Sequence, residues 1–144
     1  MNTSSIRHAL QTHSLTKQIF TDVVPCDKLP THSGTGLYVV NTHPHDMPGQ
    51  HWVVVDYTPS HVMYMDSYGL PPTPAIHTAL CGGSRPIHYT PRRLQGQSDT
   101  CGLYCLYYAL TLVSGGVHSM TIFSDALHAN DLIVTMHAFR EFDL

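Results

Sequence analysis

Runs of apolar and polar positions divide the chain into a series of short elements. Ser4 and Ser5 can cap a helix that runs to about Thr12. Gly36-Leu-Tyr-Val-Val-Asn41 reads as a buried strand, followed by a polar, proline-bearing loop from His43 to Gln50. Two runs rich in β-branched and aromatic residues come next, His51 to Tyr57 and His61 to Asp66. The turn signal Thr58-Pro-Ser60 joins them, which predicts an antiparallel hairpin. Tyr68-Gly-Leu-Pro-Pro then breaks the sheet. A short helix over 74–80 stops at Gly82-Gly83, and a short strand covers 86–90. Cys101 to Ser114 is the strongest helix, closed by Gly115-Gly116 in the C-cap position. Two further helices are expected over 121–129 and 131–142. The pattern predicts an α+β fold, a small and mostly antiparallel sheet packed against one central helix, in a single domain over 1–144.

Composition narrows the function classes. The chain has 144 residues, 42% of them hydrophobic, which suits a globular chain rather than a disordered one. No apolar run approaches the roughly 20 residues of a membrane helix, and residues 1–7 lack a signal-peptide core. The expectation is a chain without a membrane anchor, working inside the cell as a monomer. Net charge is -3 with seven Lys and Arg, a balance that argues against nucleic acid as the main ligand. Arg85, Arg92 and Arg93 cluster beside Tyr89 and read as a solvated loop face. The twelve histidines are scattered and read as surface composition. Cys26, Cys81, Cys101 and Cys105 show neither disulfide nor CxxC spacing, which suits a reducing compartment.

Cys101 carries the main chemical signal. It opens the strongest helix, where unpaired N–H groups and partial positive charge favour thiolate over thiol. Taken alone it reads more readily as a buried helix-start thiol than as a nucleophile. Gly102 removes a side chain where a substrate carbonyl would approach. A thiolate nucleophile wants a histidine and an acceptor that orients it. His51 stands at the start of a strand, and Asp56 and Asp66 are its two candidate orienters. Alternation turns Asp56 away from His51. Pairing Tyr57 with His61 or Val62 places Asp66 opposite Trp52 or Val53, within a residue or two of His51. The bland reading of Asp66 is a cap on the Ser67-Tyr68-Gly69 bend. His51 Nδ1 is the nitrogen expected to face Asp66. Gln95, six residues before Cys101, can donate to a developing oxyanion alongside the Cys101 N–H, and Gln97 is its rival.

Two other chemistries fit less well. Asn41-Thr-His-Pro-His-Asp46 with His51 is similar to the HxHxDH metal motif of metallo-β-lactamases. The acid directly follows the second histidine, however, and no downstream ligand set completes a site, so no metal is expected. Cys101 and Cys105 stand at i, i+4, unlike the CxxC of redox enzymes.

The order His-Trp, acid, Gln and Cys-Gly resembles the adenovirus-type maturation proteases (adenain) and, more distantly, the Ulp-type SUMO proteases. The match covers about Val23 to Tyr108. Val23-Val24-Pro-Cys-Asp-Lys28-Leu29 resembles the segment before the family's first strand, and Val40-Asn41-Thr42 followed by His51-Trp52 its Val-Asn-Thr…His-Trp. Met65-Asp66-Ser67-Tyr68-Gly69 resembles its Phe-(Glu/Asp)-Pro-Phe-Gly, and Leu94-Gln95-Gly96 with Cys101-Gly102-Leu103-Tyr104-Cys105 its Val-Gln-Gly…Cys-Gly-Leu-Phe-Cys. The resemblance implies a papain-like cysteine protease with Cys101 as nucleophile, His51 as general base, Asp66 as orienter and Gln95 as oxyanion donor. Trp52 would wall a channel that admits only glycine or another small residue.

The expected substrates are polypeptides, either viral precursors cut after Gly-Gly-like sequences or modifier conjugates. The setting would be the host nucleus or cytoplasm and the virion. A binding module that keeps the fold without catalysis is the alternative of another class. No cofactor is required. Adenain takes a disulfide-linked peptide activator, but here Cys81 lies several residues upstream of the activator position, so the sequence does not support one.

Overall fold

The computed structural model describes residues 1–31, 34–47, 51–90, 92–115 and 120–144. Its elements in chain order are α1 (Thr3–Thr12), β1 (Phe20–Pro25), β2 (Gly36–Asn41), β3 (Trp52–Tyr57) and β4 (Val62–Met65), then α2 (Pro74–Leu80), β5 (Ile87–Tyr89), α3 (Cys101–Ser114) and α4 (Leu127–Glu141). The five strands form one open sheet in chain order. Its centre, β2–β3–β4, is antiparallel, whereas both edge pairings, β1–β2 and β4–β5, are parallel. The sheet is therefore mixed rather than mostly antiparallel. A parallel partner needs a crossover, and α2 supplies the one between β4 and β5.

Each face of the sheet has its own apolar layer. Leu37, Val39, Val54 and Met65 pack with α1 and α3, while Val40, Val53, Val55 and Tyr64 pack with α2. With both faces covered, β3 is buried at every position from Val53 to Tyr57. Helix α3 is buried continuously from Gly102 to Leu110. It is thus a central helix without a polar face, as expected of one enclosed by neighbours on all sides.

Several local expectations change. The cap of α1 is Asn2, whose Oδ1 accepts from the Ser5 N–H at 2.8 Å, rather than Ser4 or Ser5. Residues 20–25 form an edge strand, where only a segment leading to the first strand was expected. The two helices expected after α3 are a 3-10 turn at Met120–Ile122 and one continuous helix, α4. Gly115 adopts the left-handed C-cap conformation at φ 61°. Gly116 and residues 48–50 of the His43 loop lie outside the described residues.

The arginine cluster keeps Arg92, Arg93 and Tyr89 exposed, as a solvated face would, and also ties loops together. Arg85 donates to the Gly34 and Thr58 carbonyls, Arg92 pairs with Asp125, and Arg93 donates to the Gln95 carbonyl. Among the described residues, no helix is long and apolar enough to cross a membrane.

Candidate active site

Register brings the site together. Tyr57 pairs with Val62 and Val54 with Met65, so continuing the ladder sets Asp66 opposite Val53. His51, one residue before β3, is its diagonal neighbour. In an antiparallel hairpin the start of β3 and the end of β4 share one end of the sheet. Helix α3 packs on β3 with Cys101 at that same end.

The side chains meet there. His51 Nε2 lies 2.6 Å from Asp66 Oδ1, with both side chains largely buried. Nε2 therefore faces the acid, where Nδ1 was expected, which leaves Nδ1 as the ring nitrogen that can serve Cys101. Asp66 also keeps its other role. The same Oδ1 accepts from the Tyr68 N–H at 2.9 Å, and the Asp66 carbonyl accepts from the Gly69 N–H at 2.9 Å. Asp56, paired with Leu37 and Met63 further along β3, takes no part.

Electrostatics favour an ion pair. Burial opposes charge on His51, but hydrogen bonds to Asp66 and Cys101 and their charges outweigh it and raise its pKa to about 9. Burial likewise pushes the Cys101 thiol up. Hydrogen bonds from His51 and the Trp52 N–H, the His51 charge and the Gly102 N–H outweigh that and hold it below the ordinary thiol value. Cys105, one turn further along, is fully buried and its thiol is pushed well up. The two cysteines of α3 thus differ sharply, one ionisable and one inert.

Tyr68 is a site residue that sequence reasoning quoted within a motif without assigning it a role. Its ring stacks on His51 at 4.5 Å between centroids, and Arg93 lies over the same ring at 5.1 Å. Stacking on an aromatic face holds the imidazole plane and favours its charged form.

Cys101, His51, Trp52, Tyr68 and Gln95 line one cleft of about 620 Å³, to which Asn41 and Met1 also contribute. Gln95 is fully buried and its amide orientation is fixed. Oε1 accepts from Ser67 Oγ at 2.5 Å, and Nε2 donates to the Ser98 carbonyl at 2.7 Å. A second, long contact of 3.4 Å joins Nε2 to Tyr68 Oη. Gln97 is exposed and lines an adjoining hollow instead.

The reason for Gly102 is corrected. It does not line the cleft, and a Cβ there would lie 3.2 Å from Met1 Cβ and 3.4 Å from Ile6 Cδ1. The missing side chain admits α1, and the N–H of Gly102 serves the Cys101 sulfur. In the histidine-rich loop, His45 pairs with Asp27. Among the described residues, no group of three His, Cys, Asp or Glu is placed to hold a metal ion.

No protein-family model matches the chain, and no curated protein sequence matches it. Among solved structures it is similar to the crystal structure of selenomethionine ASFV pS273R protease. That likeness has a TM-score of 0.49 and 18% identity, and it covers 75% of this chain and 44% of the other. The chain thus spans less than half the length of that protease.

Proposed function

We propose that this chain is a cysteine peptidase with Cys101 as nucleophile. The observation that carries the reading is the buried His51–Asp66 hydrogen bond of 2.6 Å, set in the same cleft as Cys101 at the start of α3. The Cys101 thiolate attacks the scissile carbonyl carbon, and the carbonyl oxygen takes the negative charge. Gln95 Nε2 and the Cys101 N–H, free of any intrahelical acceptor at the start of α3, donate to that oxyanion. His51 gives its Nδ1 proton to the leaving amine, and an acyl-enzyme remains. His51 then takes a proton from water, which attacks the thioester and releases the acid and the thiolate. Asp66 keeps the imidazole oriented and stabilises its positive charge throughout.

Trp52 is the wall that limits the residue before the cleaved bond to glycine or another small one, and the substrates are precursor polypeptides of a virus. The test is turnover of Gly-Gly reporter peptides and of ubiquitin- and SUMO-conjugated reporters, with Cys101→Ala as control. The expected result is peptide cleavage abolished by Cys101→Ala. Cleavage of modifier conjugates alone would make the protein a deconjugase. No turnover of any reporter, or turnover indifferent to Cys101→Ala, would leave a binding module.

A further inference from the structure

The loop 93–100 carries Gln95 and leads into Cys101, yet it has no regular secondary structure of its own. What fixes it stands behind the cleft, on α4. Asp131 is 6% exposed and belongs to neither lining. Its carboxylate accepts from the Gly96 N–H at 3.1 and 3.2 Å and from Ser98 Oγ at 2.7 Å. It also accepts from Thr100 Oγ1 at 3.3 Å and Tyr104 Oη at 2.9 Å. All of these donors belong to the loop or to the first turn of α3. The fit is close enough that a Cβ on Gly96 would lie 2.8 Å from Asp131 Oδ2. The neighbouring Asn130 adds a bond from Nδ2 to the Leu94 carbonyl at 3.1 Å.

A buried carboxylate held only by neutral donors, with no ion pair among the described residues, is an expensive way to hold a loop. An apolar contact of the same volume would often stabilise as well. A charge with several acceptor sites does something an apolar contact cannot, because it fixes several donors in direction. Ser98 is the link that matters. Its hydroxyl is fixed by Asp131, and its carbonyl receives the Gln95 Nε2 hydrogen bond. A carbonyl can only accept, so this contact decides which end of the Gln95 amide is NH2, and the Ser67 hydroxyl satisfies the other end.

We infer that Asp131 is a positioning residue that aims the Gln95 amide donor at the cleft through Ser98, without touching substrate. The inference rests on the reading of Gln95 as oxyanion donor. Asp131→Asn replaces one acceptor oxygen with an NH2 that faces other donors. It should lower kcat by about 10- to 100-fold, less than or similar to the loss of a whole oxyanion donor, with KM nearly unchanged. Alkylation of Cys101 by iodoacetamide should keep its rate and pH dependence, because His51 and Trp52 reach the thiol from β3. Added to Gln95→Ala, the substitution should cost nothing further, since both changes remove the same donor. If Asp131→Asn does not fold, Ser98→Ala, which breaks the link alone, should show the same pattern.

Losses that multiply in the double variant, unchanged kcat, or alkylation slowed in step with kcat would overturn the inference. A parent protein that cleaves nothing would instead overturn the peptidase reading. The Gln95 side-chain amide protons then decide the inference by NMR. They should be protected from exchange in the parent and exposed in Asp131→Asn, and equal protection in both would overturn it.

Discussion

At the scale of residues, reactivity depends on two groups that burial alone would neutralise. His51 is raised to about 9 and Cys101 is lowered from the ordinary thiol value, so the imidazolium–thiolate pair exists between the two. The rate should therefore rise with pH as Cys101 loses its proton and fall again near pH 9 as His51 does, with apparent values that belong to the pair. Asp66→Asn removes both the charge and the acceptor that raise His51. The alkaline limb should then move toward the free imidazole value near 6.5, and kcat should fall by about 10²-fold. A pH profile of kcat/KM checks this, and an alkaline limb that stays in place would show that Asp66 does not set it. Alternation and hairpin register were enough to prefer Asp66 over Asp56. They left two registers open, and ring roll at His51 has no counterpart in sequence at all, which is why the wrong nitrogen was expected to face the acid. Gln95 and Gln97 differ in burial, a property of the folded loop that their neighbours in sequence do not encode.

At the scale of elements, the turn after β4 shows how tightly the site is bound to its supports. Gly69 has φ 67°, and a Cβ there would lie 2.7 Å from both Arg92 C and Arg93 N. The clash is with backbone, which cannot swing aside. Gly69→Ala should cost on the order of 2 kcal/mol or more of stability. It should also lower kcat, because the same turn carries Asp66 and Tyr68. Denaturant unfolding and turnover of the same sample check this, and a loss below about 0.5 kcal/mol would show that the turn relaxes freely. Elements with uniform patterns, such as β2, α2 and α3, were legible to the residue. Two were missed for reasons that can be named. Thr21, Asp22 and Pro25 disguise β1, whose parallel edge position tolerates them. The helices expected over 121–129 and 131–142 divide at Asn130, which instead sits inside α4. Its side chain and that of Asp131 are buried against the loop 93–100, so the expected boundary falls where α4 anchors the site.

At the scale of the whole molecule, the ion pair joins the first residues of two layers, since His51 leads into the sheet and Cys101 opens the helix packed on it. Folding stability and reactivity are therefore linked through protons. His51 has a folded pKa above its unfolded value of 6.5, so its contribution is complete below pH 6.5 and is lost as pH rises to about 9. Cys101 has a folded pKa below its unfolded value of 9.0. Its contribution is complete above pH 9.0 and is lost as pH falls through the lowered value. Across their shared window the two slopes oppose each other. In the pair, folding moves a proton from sulfur to imidazole rather than taking one up. The parent should thus show little change in stability from this pair as pH rises from 6.5 toward 9. In Cys101→Ala only the histidine slope remains, because Asp66 still raises His51. That variant should lose about 1–2 kcal/mol more than the parent over the same range, at roughly 1.4 kcal/mol per pKa unit. The thiols of Cys26 and Cys105 are raised chiefly by burial, which Cys101→Ala leaves in place, so their contribution largely cancels in the comparison. Urea midpoints at pH 6.5 and 9 measure the difference. Parallel stability curves for the two proteins would mean that the thiol and the imidazole do not share a proton in the folded state, and the ion pair would then have no part in either stability or catalysis.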